Sequence, residues 1–77
     1  MKELLEYIVK GLVDHPDEVE VHEIENGNRV TLELTVAGDD VGRVIGRRGR
    51  VINAVRSLVQ VKASRLGKTA EVELLEE

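Results

Sequence analysis

The sequence predicts an α+β domain in which three helices cover one face of a three-stranded mixed sheet. Apolar residues recur at helical spacing in three segments, and three other segments alternate between apolar and polar residues. Turn-forming residues separate these segments and give the order α-β-β-α-α-β. The second and third strands are joined through two helices, which is long enough for a parallel, right-handed crossover.

Composition limits both the size and the chemistry of this fold. The 77 residues predict a single domain, residues 1–77, with an aliphatic core, because Tyr7 is the only aromatic residue. The chain has no cysteine, which excludes disulfides and thiolate metal sites. The shortage of aromatic residues argues against folds that stack nucleobases on exposed rings. Neither a signal pattern nor a membrane-length apolar run is present, so a cytoplasmic location without membrane contact is expected.

The N-terminal third predicts a helix and a first strand. The helix is expected from Lys2 to Asp14, and Pro16 should end it because the residue before a proline avoids helical backbone angles. The strand is expected over residues 18–25, but its alternation breaks at His22. Either a β-bulge there returns Ile24 to the buried face, or Ile24 faces solvent.

A hairpin turn and a regular second strand follow. Asn26-Gly27 predicts a type I′ turn, in which both central residues have positive φ. Arg29 to Ala37 then alternates without a break, so one face of this strand should be buried and the other wet.

The C-terminal half predicts two helices and a last strand. Asp39 is expected to cap a short helix over about Asp40–Ile45. A longer helix should extend from about Arg50 to Leu66, with Gly67 as its C-cap. Its predicted apolar stripe consists of Val51, Ile52, Val55, Leu58, Val59 and Leu66. The last strand is expected over Thr69–Leu75, with Ala70, Val72 and Leu74 on one face and only Glu76-Glu77 as a disordered tail.

The stretch Val44–Ile52 joins the two C-terminal helices through a tight turn. Gly46 and Gly49 bracket Arg47 and Arg48, and glycine allows sharp bends and close backbone approach. The first N–H groups of the following helix lack intrahelical partners and carry the positive end of its dipole. This arrangement suits a phosphate group, although the same pattern also occurs in a simple helical elbow with solvated arginines.

Charge is strongly segregated along the chain. The net charge is −4, yet the stretch from Arg43 to Lys68 contains eight basic residues and no acidic one. A basic patch on an acidic body is typical of phosphate recognition, whereas the alternative is a solvated helix face. Because the basic stretch is centred on the two glycines, its position favours a functional role.

The motif V-I-G-x-x-G-x-x-I, at positions 44–52, resembles the signature of the KH domain, a module that binds single-stranded nucleic acid. The predicted element order is that of the type II, or prokaryotic, KH fold. The resemblance covers the whole chain, and its small size is similar to that of the stand-alone bacterial KhpA-type RNA-binding proteins. Type II KH domains bind nucleic acid in a groove between the helices that flank the glycine loop and the third strand.

Carried over to this sequence, the resemblance implies a set of RNA-binding residues. The loop that clamps the backbone would be Gly46, Arg47, Arg48 and Gly49. An apolar floor for bases would come from Val41, Val44 and Ile45 with Ile52 deeper, and basic groups would come from Arg43, Arg50 and Lys68. Simple core packing is the alternative for the apolar residues, and Arg56 and Lys62 are as readily solvated surface as RNA contacts. Alternation alone leaves open whether Glu71 and Glu73 point into the groove.

The resemblance implies an RNA chaperone or post-transcriptional regulator that binds single-stranded RNA and needs no cofactor, metal or small-molecule substrate. It also implies a partner, a larger KH protein of the Jag type. A homodimer is the other arrangement expected, because a single groove holds only about four nucleotides and a second groove would raise the apparent affinity. The alternative is a protein-interaction module, which a degenerate glycine loop would favour. An enzyme is not expected, since the chain lacks a P-loop lysine and a paired nucleophile and base. His15 and His22 are expected to be surface or packing residues, and Pro16 makes the segment 14–17 a turn and not a metal site.

Overall fold

A computed structural model describes residues 1–75; Glu76 and Glu77, the expected tail, lie outside the described residues. The predicted order α-β-β-α-α-β is confirmed. The elements are α1 (Lys2–Lys10), β1 (Glu20–Asn26), β2 (Arg29–Thr35), α2 (Val41–Ile45), α3 (Arg50–Arg65) and β3 (Thr69–Leu74). Short 3-10 turns occupy Pro16–Glu18, Gly38–Asp40 and Arg47–Gly49. Within residues 1–75, no helix is both long enough and apolar enough to cross a membrane.

The sheet has the strand order β1-β2-β3, with β1 antiparallel and β3 parallel to the central β2. The regular alternation predicted for β2 is confirmed, because Val30, Leu32 and Leu34 are completely buried. They pack with Leu5 and Val9 of α1 and with residues of α2 and α3. Three helices therefore cover one face of a mixed sheet, as predicted. The second strand ends at Thr35, two residues earlier than expected, while Val36 beyond it remains buried.

The first helix is shorter than predicted. It ends at Lys10 with Gly11 as its C-cap, and the chain then turns before Asp14. Pro16 does not end the helix; it begins the separate 3-10 turn Pro16–Glu18, a position that suits its fixed φ.

The β1–β2 hairpin decides between the two alternatives for Ile24 and corrects the predicted turn type. Its register is continuous from Glu20 opposite Thr35 to Asn26 opposite Arg29, so there is no bulge. Ile24 therefore faces solvent and is 51% exposed. The two-residue turn is Gly27-Asn28, and only Gly27 has positive φ, +62°. This is the pattern of a type II′ turn and not of the predicted type I′ turn.

The long helix buries a narrower stripe than its sequence predicts. Ile52, Val55 and Val59 are in the core, together with the unpredicted Ala63, whereas Leu58 and Leu66 are 54% and 53% exposed. The helix ends at Arg65, one residue before the predicted boundary, with Leu66 as its C-cap, and Gly67 follows with φ +71°. The N–H groups of Gly67 and Lys68 donate to the carbonyls of Ser64 and Ala63, which is a Schellman motif. The third strand ends at Leu74, one residue before the predicted boundary.

Asp40 is the one buried charged residue among residues 1–75. Its carboxylate accepts hydrogen bonds from the backbone N–H groups of Asp14 and His15, each at 3.0 Å. Neither the 3-10 turn Gly38–Asp40 nor α2 has a side-chain cap, so the capping role predicted for Asp39 is wrong. A buried carboxylate needs such partners because its desolvation is costly. Asp40 thus fastens the segment after α1 to the start of α2.

Candidate nucleic-acid interface

Gly46 makes the tight connection between α2 and α3 possible. Its φ and ψ are 74° and 173°, a combination that is essentially restricted to glycine. A Cβ atom at this position would lie 2.3 Å from Cγ2 of Val51 and 2.9 Å from its backbone nitrogen. The N–H of Gly46 donates to the carbonyl of Gly42 at 2.9 Å, which closes α2. The end of α2 is therefore packed directly against the first turn of α3.

The turn Arg47–Gly49 contains two successive left-handed residues. Arg48 has φ 58° and ψ 27°, and it is the only non-glycine residue with positive φ among residues 1–75. Gly49 follows with φ 75° and donates its N–H to the carbonyl of Gly46 at 3.1 Å. A left-handed arginine costs about 1–2 kcal/mol, and backbone strain of this kind concentrates at functional sites. Both Arg47 and Arg48 are exposed in this conformation.

The N-terminus of α3 is positively charged throughout. Gly49 is its N-cap, no side chain caps it, and its first turn contains no acidic residue. Within residues 1–75, Arg47, Arg48 and Arg50 form no ion pair. These three cations add to the positive end of the helix dipole, where an anion would be stabilised. Among the described residues, the N-terminus of α3 thus has the positive charge that an anion site needs. No acidic side chain in its first turn neutralises that charge.

Two other predicted cations already have acidic partners. Nη2 of Arg43 lies 3.0 Å from Oδ2 of Asp14, and its Nε lies 3.8 Å from Oδ1 of Asp40. Lys68 pairs with Glu25 at the opposite end of α3. The structure thus separates the cations of the loop, which are unpaired within residues 1–75, from Arg43 and Lys68, which are paired.

The apolar residues predicted to form the floor of the groove differ in their exposure. Val44 is completely buried, so it cannot contact a ligand directly, and the prediction that it forms part of the groove surface is wrong. Ile52 is also a core residue, 6% exposed. Val41 and Ile45 are half-buried. Val41 borders a pocket beside Val36 and Leu75, at the ends of β2 and β3.

A second, open cleft of about 680 Å³ lies between α3 and β3. Arg56 and Gln60 line it from the helix, and both bond to the backbone of β3. Glu71 and Glu73 belong to the sheet face opposite the buried Val72, yet they also line this cleft because β3 is an edge strand. Oε1 of Glu71 lies 3.5 Å from Nη1 of Arg29. The roles of Arg56 and Gln60 in this cleft were not predicted, although their spacing on one helix face was visible in the sequence.

The family model described as "KhpA/KhpB, KH domain" matches residues 2–74 of this chain. Two relatives named "RNA-binding protein KhpA" illustrate the similarity. That of Chlamydia muridarum is 48% identical over 77 residues, which cover 100% of this chain and 99% of the relative. That of Clostridium acetobutylicum is 45% identical over 75 residues, which cover 97% of this chain and 100% of the relative.

Solved structures of Era share the fold at lower sequence identity. Aquifex aeolicus Era bound to GDP and AlF4⁻ has a TM-score of 0.67 and 19% identity, over 95% of this chain and 28% of the Era chain. Era in complex with MgGDPNP and nucleotides 1506–1542 of 16S ribosomal RNA has a TM-score of 0.69 and 18% identity, with the same coverage. At this identity the likeness concerns the fold alone, and it is limited to about a quarter of Era.

Proposed function

Because the chain belongs to the KhpA/KhpB KH domain family, we propose that it binds single-stranded RNA, with residues 1–77 acting as one KH domain. One observation carries the proposal: the N-terminus of α3 has no capping side chain and no acidic residue, and three exposed arginines surround it. The relatives named RNA-binding protein KhpA, similar over their full length, support the same reading.

In this proposal the glycine loop clamps the sugar–phosphate backbone. Gly46 and Gly49 allow the backbone to approach closely, while Arg47, Arg48 and Arg50 neutralise phosphates. The half-buried Val41 and Ile45 offer apolar contact to unstacked bases. We also propose that Arg43 on α2 and Lys68, which lies beyond the far end of α3, exchange their carboxylate partners for phosphates when RNA binds.

The biological role that we propose is that of a cytoplasmic RNA chaperone or post-transcriptional regulator. The chain would act by binding and not by catalysis, with no cofactor, metal or small-molecule substrate. The names of the relatives describe binding to RNA, which supports the binding part of this role.

We expect the protein to prefer single-stranded over double-stranded RNA. Unstacked bases can reach Val41 and Ile45, whereas a duplex hides its bases and offers only phosphates to the loop. Competition of a labelled single-stranded RNA with unlabelled strands of the same sequence, either free or annealed, measures the preference. Equal competition by both forms would show that the arginines are only a general basic patch.

We further propose that the chain works as a homodimer or with another, larger KH protein of the Jag type. A single KH groove holds only about four nucleotides, and linking two grooves raises apparent affinity by roughly 10²–10⁴. The exposed apolar side chains of α3 favour association: Leu58 and Val61 are 54% and 61% exposed. This observation also supports the alternative function, a protein-interaction module.

Sedimentation over a concentration series, with and without RNA, tests the association. The expected result is a rise from the mass of one 8.6 kDa chain towards twice that mass, at lower protein concentration when a long RNA is present. A strict monomer that still binds RNA tightly, one chain per RNA, would contradict the role of avidity.

A further inference from the structure

A line of polar side chains extends from the glycine loop along one face of α3. Asn53, Arg56 and Gln60 are spaced by three and four residues, which places them on one side of the helix. Asn53 lies beside the loop, because a Cβ atom on Gly49 would be 3.8 Å from its Nδ2 atom. At the other end, Oε1 of Gln60 accepts the backbone N–H of Ala70 at 3.0 Å. The line therefore connects the glycine loop to the edge of the sheet.

Arg56, in the middle of this line, is held in place by two hydrogen bonds. Its Nε donates to the carbonyl of Val72 at 3.2 Å, and its Nη1 donates to Oδ1 of Asn53 at 3.4 Å. Within residues 1–75 it forms no ion pair. A guanidinium has five N–H donors, so donors on Nη1 and Nη2 are left for a ligand. The side chain is thus ordered in advance, and its charge is not neutralised by a neighbouring carboxylate of the described residues.

The position of Arg56 fits a strand of RNA that leaves the glycine loop. It lies six residues after Arg50, which corresponds to about 9 Å along the helix axis. On the other side of the cleft, Glu71 and Glu73 repel phosphate. The phosphates of a bound strand would therefore follow α3, and its bases would turn towards β3.

We propose that Arg56, positioned by Asn53 and by the carbonyl of Val72, is a second phosphate anchor. It contacts a phosphate next to those held by the glycine loop and fixes the path of the strand along α3. This inference rests on the proposed RNA binding and adds a contact residue to that site.

The test compares Arg56→Gln with Lys62→Gln. Both variants remove one positive charge from α3, but Lys62 is exposed and does not line the cleft. Binding of a fluorescein-labelled, mixed-sequence single-stranded RNA of eight nucleotides is measured by anisotropy at several salt concentrations. Arg56→Gln should weaken binding about fivefold to twentyfold and reduce the slope of log K against log salt by about 0.7, the value for one lost phosphate contact on a single strand. Lys62→Gln should leave the slope unchanged.

A measurement on the unmodified protein covers the case in which Arg56→Gln does not fold. The Nε–H NMR signal of Arg56 should shift on addition of the same RNA, and that of the exposed Arg65 should not. Equal effects of the two substitutions, or an unshifted Arg56 signal, would overturn the second anchor. If Arg47 and Arg48 prove essential under the same conditions, the proposed function stands even when the second anchor fails. An unmodified protein that does not bind the RNA would refute both.

Discussion

Replacing both Arg47 and Arg48 with aspartate is expected to abolish RNA binding and to leave the fold intact. Both side chains are exposed and make no ion pair within residues 1–75, so no packing is lost. Aspartate tolerates the left-handed backbone at position 48 better than most residues do. Hydrogen bonds to charged groups contribute about 1.5–3 kcal/mol each, so two lost contacts alone should weaken binding about 100-fold or more. Anisotropy of a labelled single-stranded RNA measures this loss.

The matched control is the double variant Lys62→Asp and Arg65→Asp. It makes the same change in net charge, but at exposed positions near the C-terminal end of α3 and not in the turn that precedes this helix. The control should weaken binding only slightly, whereas the loop variant should also show a smaller salt dependence of any residual binding. Circular dichroism verifies that both variants are folded. Wild-type affinity in the loop variant, or equal losses in both, would refute the clamp.

Gly46→Ala is expected to be the most destabilising single glycine substitution. The backbone conformation alone disfavours alanine by about 1–3 kcal/mol, and the new Cβ would overlap the side chain and backbone of Val51. A loss of about 3 kcal/mol is large for a domain of this size, for which each kcal/mol lowers Tm by roughly 4–8 °C. Thermal and urea unfolding measure the effect directly.

Two other glycines of the same region provide the comparison. A Cβ at Gly42 would meet nothing within 4 Å, so Gly42→Ala should raise stability, since alanine is the better helix former by about 0.5–1 kcal/mol. Gly49→Ala has room but keeps a positive φ, so its cost should be intermediate. If Gly46→Ala were as stable as Gly42→Ala, the close contact with Val51 would not constrain the loop.

The order of elements could be predicted because it depends on local patterns. Strand β2 alternates without a break, and the glycines at positions 46, 49 and 67 all have positive φ in the structure. The prediction failed where burial depends on distant neighbours. Leu58 and Leu66 fit the helical period of α3, but no other element covers them within residues 1–75. The error for Val44 was the opposite one: it was predicted to form part of the groove surface, but it is completely buried. The sequence does not show how deeply α2 packs against the core.

The interactions of individual polar side chains were the least predictable part of the site. Asp40 was predicted only as the first residue of a short helix, yet its carboxylate accepts hydrogen bonds from backbone N–H groups 25 and 26 residues earlier in the chain. The pairing of Arg43 with Asp14 and of Lys68 with Glu25 likewise joins residues that are far apart in sequence. The cluster of cations was predictable from charge segregation, but which of them have acidic partners was not.

The hydrogen bonds from α3 to β3 also affect self-assembly. An edge strand with free N–H and C=O groups is a template on which another chain can add a strand. In β3, the N–H of Ala70 donates a hydrogen bond to the side chain of Gln60, and the carbonyl of Val72 accepts one from Arg56. These two groups are therefore not free to pair with another strand. The opposite edge is β1, where Glu20, Glu23 and Glu25 would place like charges close together in a pair of identical strands. Growth of an intermolecular sheet, the first step towards fibrils, is therefore disfavoured at both edges of the sheet.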